Sequence, residues 1–300
     1  MKFLYVLASA NNDLYAEQAF VSITSLRMHN PEVFVSLFID DKTDQNLEER
    51  TFKLKELADE VVVQTFDEAI DLRERSRLLK TNMRNQIRGD FLYIDSDTII
   101  CEDLSDIWNC KHHLAAVPDT HIEFKKSSSY KSASSMLKKI DKHHLPVEKF
   151  YFNGGVLFAK DCSESVAFFN KWNELWNEFK AKKINKDQIS LAYSNRALKY
   201  PIAELSGIWN CQIQYGMNYF ANAKILHYFA TVGFEYGRFK KQIPTSLKET
   251  GRLTEDDLLE IKNPKHGFPM PHLVISGGDY AFLQYFRLFM YYVKKIKSFF

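Results

Sequence analysis

Gly89-Asp90-Phe91-Leu92-Tyr93-Ile94-Asp95-Ser96-Asp97-Thr98-Ile99-Ile100 is an apolar run that ends on two carboxylates and then resumes its hydrophobic character at once. Phe91 to Ile94 reads as a buried strand. Residues two apart along a strand share a face, so Asp95 and Asp97 are expected to point the same way with Ser96 between them. Two bare carboxylates at the end of a buried strand need neutralising. A hard divalent cation does this, because Mg²⁺ and Mn²⁺ favour oxygen ligands from one or two carboxylates together with substrate phosphates. Asp95 and Asp97 are therefore the first candidate metal ligands.

Outward from this stretch, strand and helix patterns alternate. Lys2–Ser9, Val33–Ile39 and Glu60–Gln64 read as strands, and Tyr15–His29, Leu47–Leu57 and Leu72–Ile87 as helices. A β-α-β-α order predicts a mostly parallel sheet with helices on its faces, and a ligand site at the carboxyl ends of the strands. Asn11-Asn12, Asp40-Asp41 and Asp95/Asp97 all fall at such ends. Beyond Asp97 the pattern predicts a short helix at Leu104–Asn109 and a strand at Ala115–Pro118. A polar, basic segment follows from Lys125 to His144, and then a strand over Tyr151–Lys160 broken at Asn153-Gly154-Gly155. Ser163–Lys182 is an amphipathic helix whose Val166, Phe169, Trp172, Trp176 and Phe179 form a core stripe. A helix at Asp187–Asn195, a strand at Lys224–Tyr228 and a capped helix at Thr254–Lys262 complete the pattern.

With 300 residues, the length allows one large or two small domains, with enough chain for a substantial core. Its net charge of +2 gives no argument for a polyanionic partner, so nucleic acid is not expected. Cys101, Cys110, Cys162 and Cys211 form no C-x-x-C pair, which suits reduced thiols in a cytoplasm. The apolar start, Met1 to Ala8, carries a single Lys and reads as a first strand rather than a signal peptide. No apolar run approaches the length of about 20 residues that a membrane span requires. Tyr280–Phe300 is aromatic and apolar with Arg287, Lys294, Lys295 and Lys297 as its charges. It reads either as a basic interfacial helix on an anionic membrane or as a terminal helix packed on the core.

Two carboxylates leave room for a third protein ligand. His227, in Ile225-Leu226-His227-Tyr228-Phe229, competes for that role with His266 and His272, while His112-His113 and His143-His144 lie in polar, solvated settings. Lys80, on the helix before the metal strand, is placed to aim a cation at a diphosphate or at Asp95. The arginines around it (Arg73, Arg75, Arg77, Arg84 and Arg88) equally suggest a solvated helix face. Asn153 sits beside two glycines where a ligand or another backbone comes close. Asp187-Gln188 offers a carboxylate and an amide together at a helix start, where an acid also complements the helix dipole.

Taken together, these pieces resemble the bacterial glycosyltransferases of family 8, the lipopolysaccharide galactosyl- and glucosyltransferase type with the GT-A fold, over roughly Phe3 to Phe229. Asp95-Ser96-Asp97 stands at the family's metal-binding Asp-x-Asp. Tyr151-Phe152-Asn153-Gly154-Gly155-Val156 matches its Tyr-Phe-Asn-Ala-Gly-Val, with Gly154 in place of Ala. Asp187-Gln188 matches the pair beside the reacting sugar, and His227-Tyr228 the His-Tyr that supplies the third metal ligand. Lys80 stands where the family has an Arg on the donor, and Ala8 and Asn12 fall in its nucleotide-base loop. The family's Lys-Pro-Trp after His-Tyr is missing here, where Phe229-Ala230-Thr231-Val232-Gly233 follows.

The resemblance implies a mixed, mostly parallel α/β GT-A domain, placed over 1–262, and the residues beyond it read as a linker and helical tail over 263–300. It implies retaining transfer of a hexose from a UDP-sugar to a hydroxyl of an oligosaccharide or lipid-linked glycan, with Mn²⁺ or Mg²⁺ on Asp95, Asp97 and His227. Ala8, Asn12, Lys80, Asp95 and Ser96 are then expected on the donor, and Asn153, Asp187 and Gln188 at the reacting sugar. The expected location is the inner face of the cytoplasmic membrane. The alternatives are an inverting or other-donor GT-A transferase, a sugar-nucleotide-binding protein, or a nucleotidyltransferase. The last of these would want a glycine-rich basic loop after the first strand, where Ser9-Ala10-Asn11-Asn12-Asp13 has neither glycine nor cation.

Overall fold

The computed structural model describes residues 1–127, 130–141, 143, 145–213, 215–228 and 238–265. In chain order the first elements are β1 (Lys2–Leu7), α1 (Tyr15–His29), β2 (Val35–Asp40), α2 (Asp41–Glu48), β3 (Glu60–Gln64), α3 (Leu72–Gln86), β4 (Phe91–Ile94) and β5 (Thr98–Ile100). Next come β6 (Leu114–Pro118), α4 (Tyr130–Leu137), β7 (Phe152–Ala159), α5 (Ser163–Ala181) and α6 (Asp187–Ala197). The last are β8 (Ile202–Glu204), β9 (Cys211–Gln212), β10 (Ile225–His227), α7 (Ile243–Thr250) and α8 (Glu255–Lys262).

A seven-stranded sheet runs in the order β3-β2-β1-β4-β7-β6-β8. The pairs from β3 through β4 are parallel, as are β6 and β8, whereas β7 is antiparallel to both β4 and β6. Alternation along each strand divides its side chains between two apolar cores. Phe3, Tyr5 and Leu7 of β1 face one core together with Leu92 and Ile94 of β4. Leu4, Phe91 and Tyr93 face the other, against Leu79 and Met83 of α3 and Phe168, Phe169 and Trp172 of α5. A second, small sheet, β5-β10-β9, folds against the first core, with β10 antiparallel to β5 and parallel to β9. It brings β10 back to the end of β4.

Several boundaries differ from the sequence expectation. The helix expected over Leu47–Leu57 is instead α2, starting at Asp41, with a separate 3-10 turn at Leu54–Leu57. Asp40 decides the start, because its carboxylate accepts from the Thr43 backbone N–H at 2.6 Å and caps the helix. The expected break at Asn153-Gly154-Gly155 is absent, since β7 runs unbroken through both glycines. Within the basic segment, α4 forms where Ala133 and Leu137 bury against Phe124, Tyr151 and Phe179. Val166 is only half-buried, and Phe168 joins the α5 stripe in its place. Among the described residues no helix is long and apolar enough to cross a membrane. His266, His272, the loop from Phe229 to Gly233 and the tail over 280–300 lie outside the described residues.

Candidate active site

The carboxyl ends of β1 and β4, the start of β7, the N-terminus of α6 and the inner face of α3 enclose a cavity of about 740 Å³. That size is typical of small-molecule and cofactor sites. Asp95 and Asp97 reach it in a different way from strand alternation. β4 stops at Ile94 and β5 starts at Thr98, so both acids sit in the turn between them. Each is pinned by a different neighbour. The Asp95 N–H donates to the Gly155 carbonyl of β7 at 2.7 Å, and the Asp97 carbonyl accepts from Tyr228 just after β10 at 3.1 Å. The Thr98 hydroxyl closes the turn on the Asp95 carbonyl at 2.8 Å.

His227 ends β10 beside this turn, with its Nε2 3.1 Å from Asp97 Oδ1. One donor atom each from Asp95, Asp97 and His227 lies within 4.8 Å of the others. Burial would raise the Asp97 carboxyl, but the charge and hydrogen bond of a protonated His227, together with the local backbone N–H and the Lys80 charge, outweigh it and hold Asp97 below the usual carboxylate range. Two carboxylates and one imidazole, open on one side to a cavity, make a donor set that suits Mn²⁺ or Mg²⁺. A second group, His113, Cys162 and Glu164, lies at the surface by the start of α5 and does not line the cavity.

On the α3 side, Arg73, Arg77 and Lys80 fall on one helix face and line the cavity. Lys80 is buried, contrary to a solvated helix face, and two of its arginine neighbours are buried as well. Arg75 pairs with Asp40, and Arg84 donates to the Gly89 carbonyl at 2.8 Å while lying over the Phe91 ring. Lys80 Nζ stands 3.3 Å from Asp95 and 3.4 Å from Asp187, over the Tyr93 ring. The Tyr93 phenol, pushed well above its ordinary value by burial and then by the charge of Asp95, stays protonated and donates to that carboxylate. Asp187 also meets Arg77 Nε at 3.1 Å. Burial opposes its charge, yet Lys80 and Arg77 together hold its carboxyl below the ordinary range.

The third wall is made of amides. Asn153 Oδ1 accepts from the Gly155 N–H at 2.9 Å and from Asn210 Nδ2 at 3.0 Å, while its Nδ2 donates to Asp119 at 3.0 Å. Asn210 Oδ1 lies 2.9 Å from His227 Nδ1. Gln188 donates to the Phe152 carbonyl at 3.0 Å and also contacts Asp119. Burial pushes the Asp119 carboxyl above the ordinary range despite these donors. Gly155 is required here, because a Cβ would come within 2.3 Å of His227 Cε1 and 2.8 Å of Asp95 Oδ2. A Cβ at Gly154 would meet its nearest atoms, on Lys80, at an ordinary 3.7 Å.

Of the sequence candidates, Ala8, Lys80, Asp95, Ser96, Asp97, Asn153, Asp187, Gln188 and His227 all line the cavity. Asn12 does not, and its side chain is exposed. Tyr15, the first residue of α1 and half-exposed, lines the cavity instead. Sequence reasoning passed over Asp119, Asn210, Tyr93 and Tyr15, and treated Arg77 only as part of a solvated face. Nothing local singles out Asn210, since Ile208-Trp209-Asn210-Cys211-Gln212-Ile213 carries a second amide at Gln212.

Strand order, the Asp-x-Asp turn and the returning β10 define a glycosyltransferase of the GT-A fold. The galactosyltransferase LgtC, solved with donor and acceptor sugar analogs, superposes with a TM-score of 0.55 at 15% identity, covering 85% of this chain and 98% of LgtC. Mouse xyloside xylosyltransferase 1 superposes at 0.53 with 12% identity over 78% of this chain and all of its own. The glycosyltransferase GlyE of Streptococcus pneumoniae superposes at 0.51 with 18% identity, over 89% of this chain and 64% of GlyE. None of the curated proteins matches the chain in sequence. The profile of glycosyl transferase family 8 matches residues 6–233, and the chain belongs to that family. It is a glycosyltransferase, and membership implies a nucleotide-sugar donor and a glycan acceptor.

Proposed function

We infer that this enzyme moves a hexose from a UDP-sugar to a hydroxyl of a glycan acceptor, with retention of configuration and a divalent cation held by Asp95, Asp97 and His227. The convergence of those three donors in a cavity of about 740 Å³, with Arg77 and Lys80 on its α3 wall, carries the reading. A dianionic diphosphate fits between a cation site and a cationic helix face. Tyr15 and the buried Ala8, which line the same cavity, offer an aromatic ring and a small side chain to a base.

When bound, Mn²⁺ or Mg²⁺ would act as a Lewis acid on the diphosphate oxygens. Lys80 and Arg77 supply fixed positive charge where the leaving group becomes more negative, a form of stabilisation that acts mainly in the transition state. Asp187 is held by both cations rather than free, which suits positioning and stabilising a developing oxocarbenium charge better than covalent attack. Gln188, tied to Phe152 and Asp119, keeps the α6 N-terminus in register with β7. Retention then follows when the acceptor oxygen bonds to C1 on the face from which the C1–O bond to the diphosphate breaks, the hydroxyl proton passing to the departing phosphate oxygen.

A peripheral, membrane-facing location belongs to the same reading, supported by the basic aromatic sequence of 280–300. Thermal shift against a panel of nucleotide sugars, with and without Mn²⁺, tests the donor, since only a true donor stabilises the fold by mass action. Proton NMR of the product's anomeric centre tests retention. Stabilisation by a nucleotide sugar independent of any divalent ion would remove the metal from the reading.

A further inference from the structure

The amides between β7 and β10 leave one open orientation to none of their members. A backbone N–H can only donate, so the atom that Asn153 presents to Gly155 at 2.9 Å must be its oxygen. Its Nδ2 then faces the Asp119 carboxylate at 3.0 Å, an acceptor, and the two assignments agree. The same Asn153 oxygen lies 3.0 Å from Asn210, which must therefore present its nitrogen there. That turns the Asn210 oxygen toward His227 Nδ1 at 2.9 Å. Nδ1 must carry the hydrogen, and Nε2 is the nitrogen directed at Asp97 and the cavity. Asn210 and His227 are buried, with 0% and 3% of their surfaces exposed, so water does not substitute for either partner.

The geometry points to Asn210 as the positioning residue for the metal ligand. It holds the His227 ring in one rotamer with a hydrogen on Nδ1, so that Nε2, which faces the Asp97 carboxylate, is the nitrogen that gives up its hydrogen and supplies a lone pair when a cation binds, and Asn153, anchored by Gly155 and Asp119, sets the polarity of Asn210. This rests on the metal reading above. It also gives Asn153 a further task beside the contact with the reacting sugar that the family resemblance implies, since its amide oxygen is engaged by Gly155 and Asn210 and one hydrogen of its nitrogen by Asp119. A partner of this kind fixes the tautomer and ring orientation of a ligating histidine, and its loss typically weakens metal affinity by about 10- to 100-fold.

The test is Mn²⁺ alone, titrated into the full chain and followed by loss of the free-ion electron paramagnetic resonance signal. Asn210→Leu keeps the volume but removes the acceptor, and should weaken Mn²⁺ binding at least tenfold. Asn210→Asp supplies an acceptor oxygen to Nδ1–H in either protonation state, and should bind within about threefold of the wild type. Asn153→Ala, which does not touch the imidazole, should weaken binding several-fold by releasing Asn210. Equal losses in the Leu and Asp variants would mean that Asn210 is a packing residue, and wild-type affinity in the Leu variant would overturn the proposal outright. Should the Leu variant fail to melt cooperatively, Asn153→Ala and Asn210→Asp decide alone, and wild-type affinity in the former overturns it. Failure of the underlying reading looks different: the wild type itself would then show no saturable Mn²⁺ site that Asp97→Asn abolishes.

Discussion

One wall of the cavity is a helix face carrying Arg73, Arg77 and Lys80, and another is a buried line of side chains from Asp119 through Asn153 and Asn210 to His227. The helix wall works by charge. Its cations are partly open to solvent toward Arg73 and sink to the buried Lys80, and they act on whatever anion enters. The amide wall works by direction. It carries charge only at its ends, but each hydrogen bond leaves the next group a single orientation. Charge acts over several ångströms and tolerates displacement, whereas orientation is lost with one missing partner. Substitutions on the two walls should therefore fail in different ways.

The largest effect is expected where both walls meet. Asp97→Asn should abolish Mn²⁺-dependent donor binding and lower turnover about a hundredfold or more, with the fold retained. Turnover near the wild-type rate would break the assignment of the turn as a cation site. Gly155→Ala and Gly154→Ala form a sharper pair on adjacent residues of β7. The Gly155 variant drives a methyl into His227 and Asp95 and should lose Mn²⁺ binding almost completely, while the Gly154 variant should keep near-normal binding and melting temperature. Equal behaviour of the two would contradict the packing of the ligand set against β7.

Lys80→Met should leave Asp95 and Asp187 facing one another without their shared cation. Breaking a fully buried pair costs about 3–5 kcal/mol, and these carboxylates retain some solvent, so a loss of about 2 kcal/mol is expected in denaturant unfolding. Lys80→Arg should recover most of it, since the wall asks for charge rather than for one geometry. The smallest effect is in pH. Because Lys80 and Arg77 outweigh burial and depress the Asp187 carboxyl, its contribution to stability is complete above the unfolded carboxylate value of about 4. It is lost as pH falls through the lower folded value. Melting temperatures measured below pH 4 should drop more steeply for the wild type than for Asp187→Asn. Parallel acid limbs would show that Asp187 is not held by the helix wall.

Much of this was legible along the chain. A short apolar strand announces itself by composition, so β4 and its two aspartates stood out, and so did β10 with His227. The α5 stripe was readable because a 3.6-residue period survives burial. Asp95 and Asp97 were read correctly as a pair but for the wrong reason. They converge because a turn is pinned from two sides by Gly155 and Tyr228, not because strand side chains alternate. Along the chain the cations of α3 and just after it are open between a donor contact by Lys80 and a solvated face, and the fold divides them, with Arg73 and Arg88 exposed and Arg75, Lys80 and Arg84 buried. Burial of a basic side chain depends on whether Asp40, Asp95 or Asp187 arrives from another element, and nothing in the helix itself records that. Asn210 and Asp119 were invisible as site residues because an amide or carboxylate at a strand end has no period.

Local sequence thus determined where strands and helices lie, which ends carry acids, and, through the order of its motifs, the family. Those properties depend on side-chain period, capping and turn chemistry within a few residues. Tertiary structure alone decided that β10 returns beside the β4–β5 turn, that Lys80 is shared between two carboxylates, and that His227 is oriented through two asparagines. Each of these contacts joins residues at least 15 positions apart, and up to 130. Hydrogen bonds of that reach are selected by the packing of whole elements, for which no short stretch of the chain holds the information.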